Sequence, residues 1–385
     1  MSRLILFCLG IILMHPPWTL AKSYFIDSRM PSDTLDGLKP ERAWKSPEPL
    51  KRIKLRQGDS ILFRKGGQWF GQRLVLDQGG RPGSPVFVGS YGPSNLPRPH
   101  LIDTSTQVLG IAANHIIVSG LKFSGARRYG ISTLGRNRRS IELRNNEITN
   151  CTNGILIFNA SQVLLADNYI HAIHYNRSTK GAVGIIIDNS ANIEITDNIF
   201  QDCIGGVKKK HDGGAIELFR SNQNISVRKN RASNTWGFIE MGGLRNDTIS
   251  DVQIDSNIAI NTHLFAWFNL ATPQDTSNKW GVGYKNITVS YNHFVQNSAT
   301  ITNPIGANTY LTDSSQIIFS HNSIGGDSLL GFIYKGGFSR ISNRFWSPHS
   351  KKMKFKLHES ETMAKPKYPI DTLHLIRPKS KSHDD

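Results

Sequence analysis

The sequence predicts an all-β solenoid, a chain wound into stacked coils of short strands, and three observations carry that prediction. Seven segments repeat in register, each turns on an asparagine, and a second series of short strands lies between them. At 385 residues the chain is long for one ordinary domain but normal for one elongated repeat domain.

The aligned segments are IELRNNEI, VLLADNYI, IEITDNIF, ISVRKNRA, VQIDSNIA, ITVSYNHF and IIFSHNSI. Their shared asparagines are Asn146, Asn168, Asn198, Asn230, Asn257, Asn292 and Asn322. In every segment the residues five before, three before and two after that Asn are apolar, although the whole chain is only 38% hydrophobic. Alternation at period two reads as a half-buried strand, and the Asn followed by another inward side chain reads as a sharp bend. The intervals between the asparagines, 22, 30, 32, 27, 35 and 30 residues, fit a coil with one or two loops of variable length. A β-sandwich would need hairpin signals at short regular spacing, and leucine-rich repeats a leucine-dominated consensus; neither is present.

With these residues in register, the sequence resembles the right-handed parallel β-helix of pectin-lyase-like proteins, in which stacked asparagines line one bend of each coil. An eighth, earlier coil fits HIIVSGLKF, residues 115 to 123, with Leu121 at the ladder position. The stretch YFIDSRMPSDTLDGLKPERAWKS, followed by GDSILFRKGGQWFGQ and PVFVGSYG, resembles the leading segment of exported β-helix proteins that act on polysaccharides. The expected β-helix domain is 22–345, with that leading segment over about 22–100. The tail 346–385 loses the Asn period and is expected to cap the last coil or to stay mobile.

Residues 1–21 join Arg3, the apolar run LILFCLGIILM and a TLA end, the pattern of an export signal cleaved after Ala21. The run falls short of the roughly 20 residues of a spanning helix. Export to the periplasm or the extracellular space is therefore expected, with no membrane span and as a monomer. The formal charge is +17, and from Asn343 onward ten Lys or Arg stand against five Asp or Glu, so most of the excess lies outside the tail. A basic exported protein suits a polyanion such as an acidic polysaccharide. A nucleic-acid partner is disfavoured by export and by the lack of a recognised binding module. Cys151 and Cys203 fall two coils apart, about 9 to 10 Å, beyond the roughly 7 Å limit of a disulfide, and are expected as buried free thiols.

The second strand series reads GIST, GILI, GIII, AIEL, FIEM and AWFN. With its apolar positions inward, Ser132, Leu156, Ile186, Glu217, Glu240 and, by alignment, Trp267 form one outward column. In the fold this resembles, that sheet and its loops form the substrate groove. Glu217 and Glu240 then sit side by side, and like charges so placed call for a cation between them or a shared proton. Asp188 and Asn269 face outward by the same parity. Asp188, Glu217 and Glu240 are candidate ligands for Ca²⁺, and Glu217 and Glu240 equally a glycosidase acid and base. As a plain reading, both glutamates are exposed and paired with Arg220 or Arg245.

The loop GGVKKKHD feeds the strand of Glu217, so Lys208, Lys209, Lys210 and His211 are expected on the rim of the groove, where each lysine alone reads as solvated. The preceding coil adds His174, Tyr175, Arg177 and Lys180. Trp236 and Trp267 offer flat faces for sugar rings, and Arg245 and Asn269 further polar contacts. The leading expectation is an acidic-polysaccharide lyase acting by β-elimination, with Lys210, His211 or Arg220 as the base. A glycoside hydrolase using Glu217 and Glu240 is the alternative. A uronate epimerase and a non-catalytic polysaccharide-binding or adhesin β-helix complete the set.

Overall fold

The computed structural model describes residues 20–174, 181–205, 213–269, 282–296, 305–307, 316–326, 338–346, 357 and 359–363. All sheet pairing among the named strands is parallel, and strands neighbour each other one coil apart rather than in chain order. Three sheets result. Sheet 1 runs from Ser23–Ile26 to Phe338–Ile341, sheet 2 from Gln68–Phe70 to Thr362–Met363, and sheet 3 from Leu74–Leu76 to Ile305–Ala307. One coil illustrates the path: Ala160–Ala166 in sheet 1, a corner at Asn168, Tyr169–Ile173 in sheet 2, and Val183–Asp188 in sheet 3.

The inward positions read from the seven segments are the core. All twenty-one are buried at 2% exposure or less, stacked as columns such as Ile141, Val163, Ile193, Ile225, Val252, Ile287 and Ile317. A single coil cannot cover such a row, so each coil depends on its neighbours for burial. Glycine opens the sheet 3 strands of GILI and GIII for a steric reason. A Cβ on Gly154 would lie 2.2 Å from the carbonyl oxygen of Gly184, and one on Gly184 2.7 Å from that of Ala215.

The bend between sheets 1 and 2 is made one residue earlier than the sequence pattern implies. The residue before each ladder Asn is left-handed: Asn145, Asp167, Asp197, Lys229, Ser256, Tyr291, His321 and Ser342 have φ between 53° and 57°. Asn and Asp tolerate this region and the other residues are strained there, so the corner needs support from outside itself. The ladder supplies it. The Asn168 backbone N–H and Nδ2 both donate to Asn198 Oδ1 at 3.0 Å, and Nδ2 also donates to Leu143 O at 2.8 Å. The same pattern passes through Asn198, Asn230, Asn257, Asn292 and Asn322. At the start, Leu121 holds the ladder position and its N–H donates to Asn146 Oδ1.

The ladder continues one rung beyond the seven segments. Asn322 donates to Asn343 Oδ1, and Asn343 Nδ2 donates to Glu361 Oε1 at 3.2 Å. Glu361 is buried and faces Arg340, while Thr362–Met363 pairs with Arg344–Trp346. Strand pairing thus reaches Thr362–Met363, within the segment expected as a tail. Cys151 and Cys203 are buried free thiols, with Ile173 in register beside Cys203. Burial pushes the Cys151 thiol up to about 11 and that of Cys203 higher still.

Replacing Asn198 by Ala would strip partners from the buried Asn168 N–H and the Leu165 carbonyl. We expect a loss of about 2–6 kcal/mol, since each of the two stranded buried groups costs about 1–3 kcal/mol. Urea unfolding checks it, with the exposed Gln253→Ala as a control expected to shift stability by less than about 0.5 kcal/mol.

Candidate active site

Sheet 3 carries the column that the parity of its strands predicts. Ser132 pairs with Leu156, Leu156 with Ile186, Ile186 with Glu217, Glu217 with Glu240 and Glu240 with Trp267. Inward partners Ile216, Leu218, Ile239 and Met241 are buried, which forces the two glutamates to the outer face. Ser132 departs from the expectation, since it is buried at 3% exposure. Parallel neighbours lie about 4.8 Å apart, so the two carboxyl-bearing chains leave the sheet side by side.

Beside the pair is a narrow cleft of only about 10 Å³ among the described residues, lined by Glu217, Glu240, Trp236 and Trp267 over a floor of Ile216 and Ile239. Asn269 fixes one wall. Its Nδ2 donates to Glu240 Oε1 at 2.8 Å, and its Oδ1 accepts from Trp267 Nε1 at 2.9 Å. Trp267, Asn269 and Glu240 thus form one chain of bonds that sets the orientation of the carboxylate. Tyr284 supports it from below, with its hydroxyl 2.7 Å from Met241 O and 3.1 Å from Asn269 O. Burial, and then the charge of Glu240, hold the Tyr284 hydroxyl well above its usual range, so it stays protonated as a donor. Trp236 lies against His263, with ring centroids 4.5 Å apart.

Asp188 and Arg220 form a separate centre one column along. The Arg220 Nη2 donates to Asp188 Oδ2 at 2.7 Å, and the guanidinium carbon sits 5.4 Å from the Phe158 ring and 5.7 Å from the Phe219 ring. Burial raises the Asp188 carboxyl above its ordinary value, and the Arg220 bond opposes that rise without cancelling it. The same bond raises Arg220. Asp188 Oδ2 takes the Arg220 guanidinium, whose charge disfavours a cation beside it, while Asp188 Oδ1 is buried with no hydrogen-bond partner among the described residues. Among the described residues no three His, Cys, Asp or Glu side chains are grouped to hold an ion. Arg220 does not suit the role of base, because Asp188 holds its proton more firmly.

Of the other expected site residues, His174 is exposed at the end of the Tyr169–Ile173 strand and Arg245 is half-buried in the turn after the Glu240 strand. Neither lines the cleft. Tyr175, Arg177, Lys180, Lys208, Lys209, Lys210 and His211 lie outside the described residues. Sequence reasoning missed Tyr284 and His263. The second was within reach, because Gly237 pairs with Leu264 and so brings the residue before each of them, Trp236 and His263, together.

A family model described as a right handed beta helix region matches residues 106–254. The fold is a right-handed parallel β-helix. Among solved structures, this β-helix is similar to a GH136 lacto-N-biosidase from Eubacterium ramulus, with a TM-score of 0.64 at 14% identity over 89% of this chain and 67% of that one. It is also similar to an alginate lyase from Paenibacillus sp. str. FPU-7, with a TM-score of 0.52 at 16% identity over 83% of this chain and 99% of that one. A mutant tailspike protein of E. coli bacteriophage HK620, in complex with a pentasaccharide, gives 0.51 at 13% identity, over 84% and 63%. No curated protein matches the chain by sequence. Identities this low report a shared fold.

The Asp188–Arg220 pair yields a test with a sign. In Arg220→Met the carboxyl loses the bond that opposes burial, so its folded value rises further. A carboxyl raised in the folded state contributes stability that is present at low pH and lost as pH rises through the folded value. Arg220→Met should therefore lose more stability at pH 8 than at pH 4.5 relative to the parent. At pH 8 the loss should be about 1–3 kcal/mol, below the 3–5 of a fully buried pair because the guanidinium is partly solvated. Thermal melts at the two pH values check this.

Proposed function

We propose that the protein degrades a polysaccharide in the cleft of Glu217 and Glu240, as a glycoside hydrolase with these two residues as its carboxyl pair. The observation that carries this reading is the direct register of Glu217 with Glu240 on adjacent strands, with Asn269 Nδ2 donating to Glu240 Oε1 at 2.8 Å. Adjacent strands favour the short carboxyl separation of a retaining enzyme, about 5–5.5 Å, over the longer gap of an inverting one. The likeness to a lacto-N-biosidase fold is consistent with such chemistry on this scaffold.

A retaining hydrolase needs one member of such a pair protonated and the other ionised. We take Glu240, whose Oε1 accepts from Asn269 Nδ2 at 2.8 Å, as the carboxylate, since a donated hydrogen bond favours the charged form, and Glu217 as the acid. Glu217 gives its proton to the glycosidic oxygen while the Glu240 carboxylate attacks the anomeric carbon, so the glycosidic bond breaks as a glycosyl ester forms. Water then attacks the same carbon, Glu217 takes its proton, and the ester bond to Glu240 breaks. Trp236 and Trp267 supply apolar faces that hold the sugar rings. Export of the chain, from the pattern of residues 1–21, belongs to the same reading; no helix among the described residues is long and apolar enough to cross a membrane.

A second reading, β-elimination from an acidic polysaccharide, draws on the net charge of +17 and on the fixed guanidinium of Arg220 near the cleft. Its candidate bases, Lys210 and His211, lie outside the described residues.

A panel of acidic and neutral polysaccharides, assayed for reducing ends and for ultraviolet absorbance, tests the proposal. We expect reducing ends without an unsaturated product, and a loss of about 10²–10⁴-fold in Glu217→Gln and Glu240→Gln. Azide should restore turnover to Glu240→Ala as a glycosyl azide. An ultraviolet-absorbing product would replace the hydrolase by the lyase, and full activity in both variants would remove the pair from catalysis.

A further inference from the structure

The outer face of sheet 1 carries an open groove that takes no part in the Glu217–Glu240 cleft. Its lining includes Arg81, His115, Arg139, Gln162, Asn192 and Asn224, and it continues past Arg139 towards the corner of Asn159 and Asn189. At about 1140 Å³ it exceeds the roughly 300–1,000 Å³ of a small-molecule site. The segment Gly79–Ser84 forms its wall near the first coils, held by Gly80 N–H donating to His115 O and by a bridge between Arg81 and Ser84.

We propose that this groove is a second, non-catalytic binding site for an acidic polysaccharide chain. Each of the groove's two glutamates has an arginine beside it, Glu142 with Arg144 at 3.8 Å and Glu194 with Arg228. Arg81 and Arg139 are exposed and have no acidic partner among the described residues, so the groove presents unspent guanidinium groups, which match carboxylate geometry.

Neutral donors repeat along the groove. Ser140 donates to Gln162 Oε1 at 3.1 Å, and Asn224 Nδ2 donates to Asn192 Oδ1 at 2.7 Å. Each amide in such a pair uses one N–H or one lone pair, and its remaining capacity faces solvent because Gln162, Asn192 and Asn224 are exposed. Stacked coils repeat these groups every 4.8 Å or so along the axis, a spacing that serves a polymer of hydroxyl-rich units better than a compact ligand. The lining contains no Trp, Tyr or Phe, which removes the stacking platforms that single-stranded nucleic acid uses.

The choice of ligand rests on the polysaccharide reading above, whereas the readout is binding and not turnover. Native gels cast with polygalacturonate or with a neutral galactan, run with the full chain, test it. Wild type and Glu217→Gln should be retarded equally by polygalacturonate and little by galactan. The double variant R81S/R139S should bind it about tenfold more weakly or worse, the loss expected when charge-assisted bonds are removed. R81K/R139K should keep most of the retardation, and thermal melts of all variants should match wild type. The proposal is overturned if R81S/R139S migrates as wild type does, if Glu217→Gln abolishes retardation, or if single-stranded DNA displaces polygalacturonate at equal charge. Arginine-dependent retardation in a protein that forms no product on any glycan would sink the enzymatic reading and leave the groove standing.

Discussion

A corner turned by a left-handed residue strands the backbone N–H of the next residue inside the protein, where no water reaches it. In this chain that donor is met by the side chain of the Asn one coil further on, as the Asn168 N–H is by Asn198, and the same side chain closes a carbonyl of the preceding coil, that of Leu165. Burial of an unpaired amide costs about as much as a coil gains from a few methylenes, so the carboxamide row is what makes the tight corner affordable. Once the row is in place, coil-to-coil register is set, because a shift by one residue would turn the whole inward column to solvent.

The candidate active site inherits its precision from that register. Glu217 lies thirteen residues before Asn230 and Glu240 seventeen before Asn257. Different loop lengths separate each glutamate from its rung, yet the two meet as direct partners because their strands are pinned to the same stack. Asn269, Trp267 and Tyr284 then restrain Glu240 from the next coils. Rigid strands carry the carboxyl pair, while the basic loops expected at the rim are sequence insertions between strands, a division of labour usual where function is grafted on a repeat scaffold.

Period-two alternation and the Asn repeat made the fold legible, because inward columns tolerate few polar residues and every deviation is visible against them. The eighth rung escaped notice for an equally physical reason. Arg340 stands three residues before Asn343, where the other segments have an apolar side chain, and it is accommodated because Glu361 faces it. In the site, parity alone placed Glu217, Glu240 and Trp267. It also placed Asp188 outward, but it carried no information on which partner that carboxylate takes. Arg220 reaches Asp188 from a left-handed position with φ 62°, a conformation that strand patterns do not encode. The buried hydroxyl of Tyr284 was hidden likewise, since its partners are backbone carbonyls of other coils.

A stack of parallel coils has an inherent hazard at its last turn, where a row of strand edges and a carboxamide with unused donors form a template for another chain. Glu361 occupies that carboxamide, Arg340 offsets its charge, and Thr362–Met363 lies along the edge of sheet 2. The described part of the segment that breaks the sequence period thus lies over the end of the asparagine ladder. Its composition has a reason beyond solubility, for the acid that terminates the ladder is also the group that an identical stack would have to displace before two molecules could join end to end.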